Sequence, residues 1–72
     1  MNGPTLRQEL TPSEYQLTAW VATGLSVVEI AKMLGRNYKG VHASLARIYE
    51  KTNLSDSLEL ATRYAWERME EK

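Results

Sequence analysis

Hydrophobic residues recur along the chain three or four positions apart, which is the spacing of one face of an α-helix. Four stretches have this pattern, at about residues 12–23, 27–34, 38–52 and 57–70. No stretch alternates between apolar and polar residues as a half-buried strand does. The pattern therefore predicts an all-α fold of four helices with short connections.

Residues suited to capping helices precede each of these stretches. Thr11-Pro12-Ser13-Glu14 and Ser26-Val27-Val28-Glu29 have the spacing of capping boxes, in which a hydroxyl and a carboxylate satisfy free backbone N–H groups. Asn37 is suited to capping the third helix, and Asp56 or Ser55 to capping the fourth. The sequence therefore predicts where each helix begins.

Residues suited to ending a helix follow the first three stretches. Gly24, Gly35 and Asn53 can adopt the left-handed conformation that terminates a helix. Residues 1–9 contain a glycine and a proline. We expect a flexible lead-in there, followed by a single domain over residues 10–70.

The connection between the second and third helices is the most informative one. Only Gly35-Arg36-Asn37 separates these helices. Two helices joined by a short turn that contains glycine form the helix-turn-helix motif, which presents its second helix outward. A three-helix bundle can use the same turn, so the local pattern leaves both DNA binding and a purely structural role open.

The composition is that of a small globular domain, with 72 residues, 43% hydrophobic and 25% charged. The chain has no cysteine and one histidine, His42, which argues against a disulfide framework, a metal site and a catalytic triad. No apolar run reaches the roughly 18 residues of a membrane span, and the first residues lack the apolar stretch of a signal peptide. We expect a cytoplasmic protein that is not an enzyme and that uses no cofactor, metal or membrane.

The net charge is zero, with nine basic and nine acidic residues, but the charges are unevenly distributed. Residues 36–53 contain four basic residues and one acidic residue. Residues 1–35 contain two basic and three acidic residues, and residues 54–72 contain three basic and five acidic residues. Clustered charge matters more for binding an anion than the total does. The third helix is thus the segment most suited to a polyanion, although such a balance is also common on surfaces that bind nothing.

A rotation of about 100° per residue divides the third helix into two faces. The inward face contains Val41, Ser44, Leu45, Ile48 and Thr52, and the opposite face Lys39, Ala43, Ala46 and Glu50, with His42 and Arg47 on the flanks. Alanines permit close approach to the floor of a major groove, and Arg36 with Lys39 at the helix N-terminus suits phosphates. Arg47 is the best candidate for reading a guanine edge. The same face also fits a solvated helix, and Glu50 would repel a phosphate.

A family resemblance lies in three segments, Leu10-Thr11-Pro12-Ser13-Glu14, Gly24-Leu25-Ser26 and Glu29-Ile30-Ala31-Lys32-Met33-Leu34. Together they resemble the LuxR/GerE-type helix-turn-helix domain of bacterial transcription regulators, over about residues 10–65. Gly40 and Ser44 stand where that family has a threonine and a histidine. Residues 34–39 and 45–48 also resemble region 4 of sigma factors, and this family ranks second.

The resemblance implies a stand-alone four-helix domain that binds duplex DNA through its third helix. Matching positions to the family implies contacts by Lys39, His42, Ala43, Ala46 and Arg47, to which Arg36 is added at the helix N-terminus. Members of the family often dimerise through the last helix, which places two recognition helices in adjacent major grooves. Double-stranded DNA and a second copy of the chain are therefore the expected partners.

The last helix carries two apolar stripes. One contains Leu58, Ala61 and Ala65 and suits the domain core, and the adjacent one contains Thr62, Trp66 and Met69, with Tyr64 away from both. Aromatic residues and methionine are enriched at protein interfaces. The second stripe is therefore the predicted dimer interface, with a fold-back of Trp66 over the lead-in or the first helix as the alternative.

Two functions remain open on the sequence. The first is a bacterial transcriptional regulator that binds DNA as a homodimer. The second is a protein-interaction module on the same scaffold, which binds and inhibits or modulates another regulator or RNA polymerase. The zero net charge, the acidic last helix and the two alanines of the outward face favour the second.

Overall fold

The computed structural model describes residues 4–70, and within them only helices and their connections occur. The helices in chain order are α1 (Leu6–Glu9), α2 (Pro12–Ala22), α3 (Val27–Leu34), α4 (Tyr38–Thr52) and α5 (Ser57–Glu70). The all-α class predicted from the sequence is confirmed. Helices α2 to α5 begin and end within one residue of the four predicted stretches, and α1 is an addition to them.

Reciprocal side-chain caps start α2 and α3. At α2 the Glu14 N–H donates to Thr11 Oγ1 at 3.2 Å, and the Thr11 N–H donates to Glu14 Oε1 at 2.9 Å. Ser26 and Glu29 form the same pair of hydrogen bonds at α3, at 3.1 and 2.8 Å. These bonds satisfy N–H groups that the first turn of a helix leaves without an internal partner.

The caps of α4 and α5 differ from a capping box. At α4 the Lys39 N–H donates to Asn37 Oδ1 at 2.8 Å. At α5 the Glu59 N–H donates to Asp56 Oδ1 at 3.0 Å, while Glu59 Oε1 accepts from the N–H of Ser55 at 2.7 Å, one residue before the cap. Of the two residues suited to capping α5, it is therefore Asp56 whose side chain accepts the backbone bond.

Left-handed residues end three of the helices. Gly24 and Gly35 have φ values of 95° and 65°, and Asn53 has a φ of 60°. Asparagine tolerates this conformation better than most residues that carry a Cβ. The three predicted helix ends are thus found at the predicted residues.

The flexible lead-in predicted over residues 1–9 is wrong for its second half, and residues 1–3 lie outside the described range. Thr5 caps the short helix α1 through a reciprocal pair with Gln8, at 3.3 and 2.9 Å. The Leu6 side chain is completely buried. A single helical turn is not stable in isolation, so burial of Leu6 and other long-range contacts must hold α1 in place.

All five helices contribute to one hydrophobic core. Helix α2 packs along α5, α3 packs against α4, and α1 contacts α2, α4 and α5. The buried apolar side chains are Leu6, Leu10, Leu17, Ile30, Ala31, Val41, Leu45, Ile48 and Leu60. An ion pair between Lys51 Nζ and Glu14 Oε1, at 2.7 Å, also joins the end of α4 to the start of α2. This packing fixes α4 relative to the rest of the molecule.

The predicted core stripe of the last helix is wrong. Leu58 is 74% exposed and Ala65 is exposed, whereas Leu60 is completely buried. Tyr64 packs against the core, with its ring 5.5 Å from that of Tyr15 on α2. Both sides of α5 carry apolar residues, and it is contact with α1 and α2 that selects the side with Leu60 and Tyr64 for burial.

Candidate nucleic-acid interface

The turn between α3 and α4 is held by backbone hydrogen bonds. The Arg36 N–H donates to the Ala31 carbonyl at 2.9 Å, and the Gly35 N–H donates to the Lys32 carbonyl at 3.2 Å. This is the bonding pattern of a Schellman motif, which requires a left-handed residue at the position of Gly35. The motif turns the chain sharply after α3, so that only three residues separate α3 from α4.

Helix α4 has one buried face and one open face. Val41, Leu45 and Ile48 are buried in the core, together with Thr52, whose hydroxyl donates to the Ile48 carbonyl at 2.8 Å. The residues predicted to contact DNA are all exposed, namely Arg36, Lys39, His42, Ala43, Ala46 and Arg47. The division of α4 into two faces is thus as the sequence predicts, while contact with DNA stays a prediction.

Positive charge on the open face comes from Arg36, Lys39 and Arg47. Their side chains form no ion pair within residues 4–70. Lys51, the fourth basic residue of this region, is instead paired with Glu14 on α2. Glu50 is exposed at the C-terminal end of the open face, so the positive potential is concentrated toward the N-terminal end of α4, where the helix dipole also attracts anions.

Two contacts organise the first turn of α4. The Tyr38 ring meets the His42 ring edge-on, with centroids 5.8 Å apart. Arg36 Nη2 lies 3.6 Å from the place that a Cβ on Gly40 would take, so the guanidinium lies beside this turn. Tyr38 is half exposed and is absent from the sequence-based set of contacts. The available signal was its position one helical turn before His42.

A second exposed surface lies on α5. Thr62, Trp66 and Met69, which are the predicted dimer contacts, are all exposed, and Leu58 continues the row. Leu58, Trp66 and Met69 are respectively 74, 54 and 72% exposed. We call these four residues the α5 outer face. Trp66 is not among the partly buried apolar side chains that pack against the core, and both the dimer interface and the fold-back of Trp66 stay predictions.

Other kinds of site find little support in the described range. Within residues 4–70 no group of three or more histidine or acidic side chains could hold a metal ion. No helix in that range combines the length and the hydropathy that crossing a bilayer requires. The open face of α4 is the candidate functional surface because it is exposed and carries positive charge that no described acidic side chain pairs.

A fixed turn, a packed α3 and an α4 with one open face define a helix-turn-helix protein. The family model for the bacterial regulatory proteins of the luxR family (GerE) matches residues 8–64. The chain therefore belongs to the LuxR family of bacterial regulatory proteins. This match confirms the first of the two resemblances found in the sequence.

The chain is also similar to two transcriptional regulatory proteins. The chain is 43% identical over 54 residues to the transcriptional regulatory protein UhpA of Escherichia coli (strain K12), and equally similar to UhpA of Salmonella typhimurium (strain LT2). The matched part covers 75% of this chain but 28% of each relative. The chain thus spans little more than a quarter of the length of these relatives. Comparison with solved structures gave no significant match.

Proposed function

We propose that this chain is a bacterial transcription regulator that binds double-stranded DNA in the cytoplasm, with α4 as its recognition helix in the major groove. The observation that carries the proposal is the division of α4 into a face buried in the core and a face, from Lys39 to Arg47, that is open. Membership of the LuxR family supports DNA as the partner. An α-helix also fits the width of the major groove.

The exposed side chains divide into two roles. Arg36 and Lys39 bind phosphates, because both lie at the N-terminal end of α4, where the helix dipole adds to their charge. Arg47 reads a guanine edge, since its guanidinium can donate two parallel hydrogen bonds. Short or flat side chains between them allow close approach to the bases, namely His42, Ala43 and Ala46.

The regulator binds DNA as a homodimer through the α5 outer face. A row of exposed apolar residues on a small domain favours burial against a partner. Two-fold association would present two α4 helices to half-sites about 34–36 Å apart. With the three unpaired cations of the open face neutralising one phosphate each, the slope of log affinity against log salt should be about −3 for a monomer and about −5 for a dimer.

Selection from random duplex oligonucleotides, followed by titration of the selected site, tests the DNA proposal. We expect Lys39→Ala to weaken binding to all sequences alike. Arg47→Ala should cost about 1–3 kcal/mol at one base position and relax the preference there. Arg68→Ala removes the same charge from α5 and is the matched control, with binding close to that of the unmodified chain.

Two results would contradict these roles. If Arg47→Ala leaves the sequence preference intact, Arg47 does not read a base. If the unmodified chain binds no duplex at low salt, the second candidate function takes the place of the first. That candidate is a protein-interaction module that binds another regulator or RNA polymerase, and it is favoured by the exposed Glu50 on the open face and by the zero net charge.

Sedimentation of the unmodified chain and of Trp66→Ala tests the homodimer. We expect the unmodified chain to dimerise at tens of micromolar and the variant to shift toward monomer, because Trp66 is the largest apolar side chain of the α5 outer face. The helical content of the variant, measured by circular dichroism, should stay unchanged. If the unmodified chain and Trp66→Ala both sediment as monomers at this concentration, the proposed interface is wrong.

A further inference from the structure

The two ends of the described chain meet in a polar cluster on the inner side of α5. Glu67 Oε1 accepts a hydrogen bond from the Leu6 N–H at 2.8 Å, and Glu67 Oε2 accepts one from Arg63 Nε at 2.7 Å. Arg63 Nη2 also donates to the Pro4 carbonyl at 3.0 Å. Two side chains of α5 therefore hold the backbone of residues 4–6. We call this arrangement the Glu67 clamp.

The carboxylate of the clamp is buried and paired, whereas the Arg63 side chain is partly exposed, at 24%. Glu67 is only 6% exposed, yet both of its oxygens accept hydrogen bonds. Within residues 4–70 no fully buried side-chain nitrogen or oxygen lacks a partner. Removing Arg63 would leave the buried Glu67 carboxylate without its cation, which is strongly destabilising at that place. The carboxylate of Glu67 and the docking of α1 thus depend on each other.

The clamp lies at the margins of the family match. The matched region runs from residue 8 to residue 64. Pro4 and Leu6 precede it and Glu67 follows it, so that only Arg63 falls within it. The clamp therefore adds to the matched fold an interaction between two segments that lie 61 positions apart in sequence.

The clamp and the α5 outer face share the end of one helix. Glu67 points inward between Trp66, which is 54% exposed, and Met69, which is 72% exposed. The last turn of a helix has carbonyl groups without internal partners and tends to fray. Attachment of Glu67 to the N-terminal segment opposes this fraying on the inner side. The position of Trp66 and Met69 on the outer side then depends on whether α1 is docked.

We propose that Glu67 is a positioning residue for self-association: through Arg63 and the Leu6 N–H it couples the docking of residues 4–9 to the order of the last turn of α5. Release of the N-terminal segment lowers the affinity of the dimer, although no residue of that segment belongs to the α5 outer face. The inference rests on the homodimer proposed above and adds a control element to it.

Glu67→Gln in the full chain tests the coupling. The variant keeps the size of the side chain, but its amide offers Arg63 either a neutral acceptor or a second donor. Amide hydrogen exchange reads the clamp, and sedimentation equilibrium reads the dimer. We expect the Leu6 amide and the last turn of α5 to exchange about tenfold faster, the change produced by losing one hydrogen bond to a charged group. The dimer dissociation constant should rise by a similar factor.

Glu9→Gln is the matched control, because it removes a carboxylate from α1 whose side chain forms no hydrogen bond with the described residues. We expect neither exchange nor dimer affinity to change in it. A purely structural role of Glu67 would speed exchange throughout the core, whereas the coupling confines the change to the two ends. Arg63→Lys keeps the positive charge but lacks the guanidinium Nη2 that donates to the Pro4 carbonyl. It should speed exchange of the same amides to a smaller extent, and it replaces Glu67→Gln as the test if that variant does not fold.

The outcomes separate the inference from the function on which it rests. Unchanged exchange at Leu6 in the folded variants would refute the clamp. Faster exchange with an unchanged dimer constant would refute the coupling and leave the homodimer standing. An unmodified chain that sediments as a monomer throughout would refute the homodimer, and the coupling with it, while the exchange data still report on the clamp.

Discussion

Replacement of Leu6 by alanine tests whether the N-terminal segment is part of the folded core. The Leu6 side chain is completely buried and belongs to the same cluster as Ile30, Ile48 and Leu60. Truncating a buried leucine to alanine typically costs about 2–5 kcal/mol. The whole free energy of unfolding of a chain of this length is about 4–11 kcal/mol. The variant should therefore lose a large fraction of its stability.

Thermal unfolding followed by circular dichroism measures this loss, at a concentration low enough to keep the chain monomeric. Each kcal/mol shifts the midpoint of a domain of this size by about 4–8 °C. We therefore expect Leu6→Ala to melt at least about 8 °C lower than the unmodified chain. Leu58→Ala is the matched control, since Leu58 is 74% exposed and such surface changes stay within about 0.5 kcal/mol.

Equal melting temperatures for Leu6→Ala and Leu58→Ala would refute the reasoning. They would mean that residues 4–9 contribute no more to the core than an exposed side chain does. A lower midpoint for Leu6→Ala alone would establish that the N-terminal segment is a structural element. This result would hold whether or not the chain dimerises, because the measurement is made on the monomer.

Two further predictions concern acid stability and a helix end. Burial raises the pKa of Glu14, but hydrogen bonds from Lys51 and from the Thr11 N–H lower it by more, so that the pKa in the folded protein lies below 4.5. The stability that ionised Glu14 contributes is therefore fully present above pH 4.5 and is lost as the pH falls through the pKa of the folded protein. In Glu14→Gln the melting temperature should therefore fall less steeply at acidic pH than in the unmodified chain. An unchanged dependence of melting temperature on acidic pH would contradict this assignment. In denaturant titrations Gly35→Ala should lower the free energy of unfolding by about 1–2 kcal/mol, because φ at Gly35 is 65°. Gly40→Ala, inside α4, should raise the free energy of unfolding by up to about 1 kcal/mol. If both substitutions change the stability in the same direction, the backbone conformation assigned to these glycines is wrong.

Under the proposed function, the charge on the open face of α4 affects how the chain would find its site on DNA. The chain has zero net charge, and the unpaired cations of the open face are Lys39 and Arg47 on α4 and Arg36 in the turn before it. Non-specific affinity for duplex DNA comes almost wholly from neutralised phosphates. A single subunit should therefore hold non-cognate DNA weakly. Most of the affinity for a specific DNA site would then have to come from contacts with the bases and from the association of two subunits.

The candidate site was largely predictable from local sequence. Val41, Leu45 and Ile48 recur at helical spacing, so the buried face of α4 and the open face opposite it follow from periodicity. The start and end of the helix follow from Asn37, whose side chain accepts the Lys39 N–H, and from Asn53 in the left-handed conformation. These signals act within one or two turns of the chain, and so they can be recognised without knowing the rest of the fold.

Long-range packing settled what local patterns left ambiguous. Helix α1 is a single turn, and its stability comes from the burial of Leu6 and from a hydrogen bond to Glu67, 61 positions away. Helix α5 has apolar residues on two sides, and periodicity favoured the wrong one. Contact with α1 and α2 buries Leu60 and the carboxylate of Glu67 and leaves Leu58 in solvent. Capping and periodicity are properties of a short segment, whereas the choice of a buried side depends on which other segment lies against it.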